Sequence, residues 1–415
     1  MSRLSCLIAV LLCCCLSACA TVKMPVCSGS GNALPFDEAV TDLAKGLDAQ
    51  IMGSRTPIEM ASNPVRTVVF DPFIDLKNAQ ELKINTQIYE IMSRSFRGNI
   101  TLVPLTVENL QKADMVLTGV IILDDNPSDT KGKAYHLFAS VLTIRSGLAR
   151  ARVCTWSQRV DLAPMAVYED APTYIKDIYL RNQEAAAKAE NDSYAHTAYI
   201  QHLGTRAMLH HAYQTFERGD YKSTLVELDE IAKRPDGLNM ATYSAMYMSY
   251  IALDDLDGAR HPLARLFKLS VDSEKLIDVK LLFEVSSDAL LQKSQRQAKE
   301  YALWLQEISK IVKEYGICLI IVGHCSHTGN ALYNEGLSLK RAKVVQRIMT
   351  TQFKELEKKT RVLGRGFNEN IVGTGTDDVQ DMIDRRVEFR IIDCGRMESV
   401  AGTLSGPAEN RRSRK

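Results

Sequence analysis

The hydrophobic period of the chain changes several times, and each change marks an element. Val65 to Phe70 reads as a strand, stopped by Asp71-Pro72. Ile84, Ile88, Ile91, Met92 and Phe96 then recur at helical spacing. Ile100 to Val103 is a second strand, and Val107 to Lys112 a short helix. Met115 to Leu123, almost wholly apolar and β-branched, reads as a central strand. A turn cluster, Asp124 to Asp129, separates it from two further strands, Tyr135 to Ile144 and Arg152 to Val160. These runs predict a small α/β domain over residues 61–165.

Residues 20–60 show little periodicity, and Ser28-Gly29-Ser30-Gly31-Asn32 has linker composition, which predicts a flexible tether. Residues 161–190 read as a connector, interrupted by Pro164 and Pro172 and closed by an Ala-rich helix. Residues 190–272 read as helical. Gly219-Asp220-Tyr221 and Asp255-Leu256-Asp257 open two related units, with Tyr221 and Leu256 standing 35 positions apart. That spacing resembles the tetratricopeptide period of about 34 residues. A pair of units falls short of the three usually needed to stand alone, so the segment is expected to pack on a neighbour. It reads either as a protein-docking surface or as a helical spacer.

Residues 277–396 predict a third domain. Val279 to Val285 is a strand. Tyr301, Trp304, Leu305, Ile308, Ile311, Val312 and Tyr315 form one helical apolar face, ended by Gly316. Ile317 to Val322 is apolar on both faces, so a central strand covered by helices is expected. A second helix carries Arg341, Val345, Ile348, Met349 and Phe353, and a strand lies near Arg361 to Leu363. Val387, Phe389 and Ile391 alternate with Glu388 and Arg390, the pattern of a half-exposed last strand. Residues 397–415 are expected to be a disordered basic tail.

Three motifs in this last region share an order and spacing: Gly323-His324-Cys325-Ser326-His327-Thr328-Gly329; Asn334 with Leu337-Ser338-Leu339-Lys340-Arg341-Ala342; and Asp384-Arg385-Arg386-Val387-Glu388. The set resembles the OmpA-like peptidoglycan-binding domain, with G-H-T-D-x-x-G, N-x-x-L-S-x-x-R-A and N-R-R-V-E. The family Asp is Ser326 here, and the family Asn before the arginine pair is Asp384. The resemblance covers a little over a quarter of the chain. It implies a C-terminal OmpA-like α/β sandwich, so the whole reads as a mixture of α/β and α units. It also implies that peptidoglycan is the partner, through the diaminopimelate of its stem peptide. That zwitterion needs a cation for its carboxylate and an acceptor for its amine, and a guanidinium suits the carboxylate.

The ligand-binding candidates are therefore His324, Ser326, Asn334, Arg341, Asp384 and Arg386. Arg341 takes the place of the family's carboxylate-binding arginine; read alone it is a helix-surface or capping arginine. Ser326 offers a weaker acceptor than Asp, and one charge-assisted hydrogen bond is worth about 1.5–3 kcal/mol. Asp384 is the substitute acceptor, and Arg386 either meets a carboxylate or pairs with Glu388 or Asp384. His324, Cys325 and His327 suggest metal ligation, but they share one tight loop without a fourth ligand, so no metal or cofactor is expected.

Arg3, the short apolar run Leu4 to Leu16 and Leu16-Ser17-Ala18-Cys19 make residues 1–19 a signal segment, too short to span a membrane. Its end resembles the lipobox of bacterial lipoproteins, which makes Cys19 the lipidation residue and implies an outer-membrane lipid anchor facing the periplasm. Five cysteines follow it: Cys27, Cys154, Cys318, Cys325 and Cys394. Export permits disulfides, but the sequence leaves their pairing open. With 51 basic and 50 acidic residues the chain carries no basic excess for nucleic acid. It shows no Ser-His-Asp order, no paired carboxylates with context and no phosphate loop. The expectation is a non-enzymatic tether between outer membrane and cell wall, with an envelope protein as a possible further partner. The alternative is an envelope-assembly accessory with weak or lost wall binding.

Overall fold

A computed structural model describes residues 32–397 except 56, 63, 78, 98–99, 127–131, 174–177, 195–196, 278, 280, 293 and 371–383. The signal segment, Cys19 and all but the first residue of the expected tail lie outside the described residues. The first part of the chain runs α1 (Phe36–Gly53), α2 (Pro57–Ser62), β1 (Arg66–Phe70), β2 (Ile74–Asp75), β3 (Gln80–Glu81), α3 (Asn85–Ser95), β4 (Ile100–Pro104), α4 (Val107–Lys112), β5 (Met115–Asp125), β6 (Lys133–Thr143) and β7 (Ala149–Ser157). Then come α5 (Ile178–Ala187), α6 (Thr197–Glu217), α7 (Tyr221–Ala232), α8 (Met240–Ala252) and α9 (Leu256–Glu274). The last part is β8 (Leu276–Ile277), α10 (Gln295–Glu314), β9 (Cys318–Gly323), α11 (Ala331–Gln352), β10 (Thr360–Gly364) and β11 (Val387–Ile392).

The first sheet runs β7-β6-β5-β1-β4, with β2 and β3 continuing along the far end of β5. β1 lies parallel to β4 and β5, whereas β5, β6 and β7 form an antiparallel meander. β5 is central and largely buried on both faces, as its unbroken apolar run predicts. Residues 36–53, expected within the tether, instead form α1. Val40, Leu43, Ala44, Leu47 and Ile51 are buried there, packing with α3 on one face of the sheet. Small and acidic residues space this stripe thinly, so tertiary burial and not local composition reveals the helix.

The opposite face is covered by α5 and α6, which the sequence placed in the connector and the helical segment. Ala186, Tyr199 and Leu203 meet Val116 and Leu142, and Ala207 meets Val69 and Leu105. Arg206 of α6 completes the junction. Its Nε lies 3.2 Å from Asp71 and its Nη2 2.8 Å from Glu81, while Tyr199 donates to Asp71 at 2.8 Å and His210 meets Glu81 at 2.5 Å. Burial would raise the Glu81 carboxyl, but His210 and Arg206 hold it down at about 2. The Asp71 carboxyl is raised, burial outweighing its cationic and hydroxyl partners.

Asp220 and Asp255, the paired signals of the helical segment, both act as N-caps. They accept from Ser223 N at 3.1 Å and Gly258 N at 2.8 Å, opening α7 and α9. Helices α6 to α9 share one continuous core with the last domain. Trp304 of α10 donates its indole N–H to Tyr247 of α8 at 2.6 Å across that seam.

The second sheet has the order β10-β9-β11-β8, with β9 parallel to β10 and antiparallel to β11. Two expectations need correction. The run Val279 to Val285 does not form the first strand; β8 covers only Leu276–Ile277. Val279, Leu281 and Phe283 are buried at alternate positions, but Phe283 N turns to Arg385 O at 3.1 Å, just ahead of the start of β11. Glu388 is buried and not half-exposed, because it sits among His324, Arg386 and Arg390. Cys318 and Cys394, open as plain thiols in the sequence, are joined by a disulfide across 76 positions.

A cross-link of that span restricts the unfolded chain. Cys394→Ser is therefore expected to lower the unfolding free energy by about 2–4 kcal/mol, read as a lower urea midpoint at unchanged slope. An unchanged midpoint would show that the bridge does not restrain the unfolded ensemble.

Candidate functional site at the end of the central strand

The site is built where α11 crosses the C-terminal end of β9. Gly323 makes the crossing possible: a Cβ there would lie 1.9 Å from the Ser338 carbonyl oxygen. Asn330 caps α11, accepting from Leu332 N at 2.8 Å. Ser338, facing Gly323 and Gly364, accepts from Gly366 N at 2.9 Å and fixes the exit of β10. One turn on, Arg341 fixes the exit of β9.

Arg341 is buried, with 1% of its surface exposed. Its Nε donates to Ser287 O at 2.9 Å, Nη2 to Glu284 O at 3.0 Å, and Nη1 to His324 O at 2.9 Å and towards Cys325 Sγ at 3.4 Å. Its guanidinium carbon stands 5.2 Å from the centre of the Phe283 ring. This revises the helix-surface alternative, which buries no side chain. It also changes the ligand reading: a stem carboxylate reaching Arg341 must first displace the chain's own carbonyl groups.

The other candidates surround it. His324 N donates to Arg386 O at 2.9 Å, and its ring Nε2 lies 3.3 Å from Glu388. Asn334 donates to Thr328 O at 2.7 Å and so closes the loop after β9. Ser326 Oγ is 3.4 Å from Thr328 Oγ1. Arg386 lies 3.3 Å from Glu388 and 4.0 Å from Asp384, the two pairings left open by the sequence. All six candidates therefore meet in one neighbourhood, and each is at most 5% exposed.

Sequence reasoning missed the charge network beneath them. Glu388 also binds Arg390, which reaches Glu369, and Glu369 pairs with Arg365 at 3.3 Å. The signal present was Glu388 itself, the last letter of the third motif. His324, Glu369 and Glu388 lie close enough to share a cation, yet Arg365, Arg386 and Arg390 already hold the two carboxylates, and three guanidinium groups oppose a metal ion. His327 points elsewhere, packing on Phe367 with ring centres 4.5 Å apart.

Burial alone would raise the Glu388 carboxyl; His324, Arg386 and Arg390 hold it at about 2, below the ordinary 4.5. A carboxyl depressed on folding stabilises the protein above its unfolded value and loses that contribution as pH falls towards 2. Glu388→Gln is thus expected to cost roughly 3 kcal/mol at neutral pH, a deficit that closes between about pH 4.5 and pH 2 in denaturant titrations. A pH-independent deficit would point to packing in place of charge.

Comparisons with known proteins bear on this last domain. No curated protein matches the chain. Among solved structures, the peptidoglycan-associated lipoprotein from Burkholderia pseudomallei matches with 20% identity over 27% of this chain and 89% of its own, at a TM-score of 0.23. The cell wall anchor of the T6SS from Pseudomonas aeruginosa matches with 19% identity over 31% of this chain and 94% of its own, also at 0.23. The C-terminal domain of Helicobacter pylori MotB matches with 19% identity over 32% of this chain and 99% of its own, again at 0.23. Residues 282–383 match the sequence model of the OmpA family, and the C-terminal unit of this chain is an OmpA-family domain.

Proposed function

We propose that this chain is a non-catalytic cell-envelope anchor whose C-terminal domain binds peptidoglycan without covalent linkage. The observation that carries the reading is the convergence of three separated motifs at the end of β9, two of them inside residues 282–383, which match the OmpA family, and the third directly after them. Ligand entry requires the segment from Glu284 to Ser287 to release Arg341, whose guanidinium then offers two parallel donors to a stem carboxylate. Asp384 serves the amine only if its pairing with Arg386 opens too.

At the other end of the chain, Leu16-Ser17-Ala18-Cys19 supports a lipid on Cys19 and attachment to the outer membrane, facing the periplasm. The protein then bridges membrane and wall, while α6 to α9 pack on the last domain and keep their outer surfaces for an envelope partner.

A second reading has its own support. Arg341 is closed in, and Ser326 brings no charge where the family has Asp. An envelope-assembly accessory that kept the fold and lost wall binding would show both features.

Co-sedimentation of residues 32–415 with diaminopimelate-type peptidoglycan separates the two. The anchor reading expects wild-type protein in the pellet, displacement by free diaminopimelate, and about tenfold tighter retention for Ser326→Asp. Absence of both proteins from the pellet would move the assignment to the accessory reading. Acyl labelling lost in Cys19→Ser cells is the matching result for the membrane end.

A further inference from the structure

A cavity of about 80 Å³ lies away from the motif loop, where α5 and α6 meet the start of α8 beside the first sheet. By the room that one buried water needs, it holds about five waters, or a molecule of about six non-hydrogen atoms. Tyr168, Leu209 and Tyr213 form its buried wall, and the half-buried Tyr179, His202 and Ala241 mark its mouth.

Most polar groups of its lining are engaged with one another or with the backbone. Thr205 donates to the Asp236 carboxylate and accepts from Arg234 Nε at 2.8 Å. His202 Nδ1 lies 3.3 Å from the same carboxylate. The Tyr179 hydroxyl and the Asn239 amide donate to Asp236 O at 3.0 and 2.9 Å. Gln183 donates to Pro72 O at 3.0 Å, and the Tyr168 hydroxyl is bonded to that of Tyr213. Arg206, the one permanently charged side chain among the described residues of the lining, is held by Asp71 and Glu81. Asn182 of α5 stands apart. It is 7% exposed, its Nδ2 has no hydrogen-bond partner, and none of the described residues donates to its Oδ1. A buried amide left so costs free energy until something meets it.

We infer that this cavity binds a carboxamide group on a short alkyl chain, paired with Asn182 by two hydrogen bonds. Asn182 Nδ2 donates to the ligand oxygen, and its Oδ1 accepts a ligand N–H. Two amides match donor for acceptor, whereas a carboxylate brings no donor and a ketone completes only half of the pair. An anion is disfavoured further, because the guanidinium at hand is already shared by two carboxylates. The tyrosine rings supply apolar area for the methylenes. Tyr168 and Tyr213 stand edge to face with ring centres 5.5 Å apart, and Tyr179 and His202 do the same at 4.5 Å across the mouth. The same chemistry is carried by a free small amide and by an asparagine or glutamine side chain. The site does not depend on the peptidoglycan reading.

Saturation-transfer NMR titration of residues 20–415, the chain without its signal segment, with propionamide, butanone and propionate tests the assignment. Propionamide is expected to bind with a dissociation constant on the order of 10 mM or tighter, butanone about tenfold more weakly and propionate not measurably. Nα-acetylglutamine and Nα-acetylglutamate then separate the sources. Binding of the first and not the second extends the site to side chains; binding of propionamide alone assigns it to free amides. Asn182→Leu, close in volume, should keep its circular-dichroism spectrum and a thermal midpoint at or above that of the wild type, since an unpartnered amide leaves the interior. It should also weaken propionamide at least about tenfold, and Asn182→Ser should weaken it as much. Silence from propionamide, butanone or propionate binding as tightly, or an affinity indifferent to both substitutions would overturn the proposal.

Discussion

The buried guanidinium of Arg341 is the interaction on which the last domain depends. A cation withdrawn from water is tolerated only where its donors are satisfied. Here they are satisfied from two sides: by the Glu284 and Ser287 carbonyl groups on one, and by the His324 carbonyl with Cys325 Sγ on the other. Gly323 sets the approach, since any side chain at that position would collide with Ser338 and push α11 away. The residue that the family motif marks for ligand binding is thus also the residue that shapes the loop. On the proposed reading, a ligand that takes Arg341 from these carbonyl groups also loosens the loop.

A comparable arrangement joins the first sheet to the helices. Arg206 reaches from α6 to Asp71 and Glu81, which sit at the ends of β1 and β3. Removing one member of such a group strands the others, so the junction is specific as well as tight. From α6 onwards the core continues without a break into the OmpA-family domain. The helical segment, too short to stand alone as a repeat array, is stabilised by neighbours on both sides.

Most of this fold was legible where burial follows the period of a single element. β1, α3, β4, α4, β5 and the β6–β7 pair fall close to the runs that predict them, and Gly316 adopts the left-handed conformation just past α10. The misreadings share one cause. The stripe of α1 is sparse, Val279 to Phe283 alternate without pairing as a strand, and Glu388 looks exposed by alternation; each is decided by distant partners. The motif residues were found by order and spacing, and the structure brings all six together. The burial of Arg341 was not legible, because it depends on the carbonyl groups of Glu284 and Ser287, which carry no sequence signal. The network through Glu369 and Arg390 was hidden for the same reason.

Amide hydrogen exchange at residues 284–288 and 324–326, with and without soluble diaminopimelate stem peptide, probes the coupling most directly. If Arg341 must leave its carbonyl partners to meet the ligand, exchange at 284–288 rises on binding while β9 stays protected. Binding that leaves both segments unchanged would contradict the account and place the ligand on another surface of the domain.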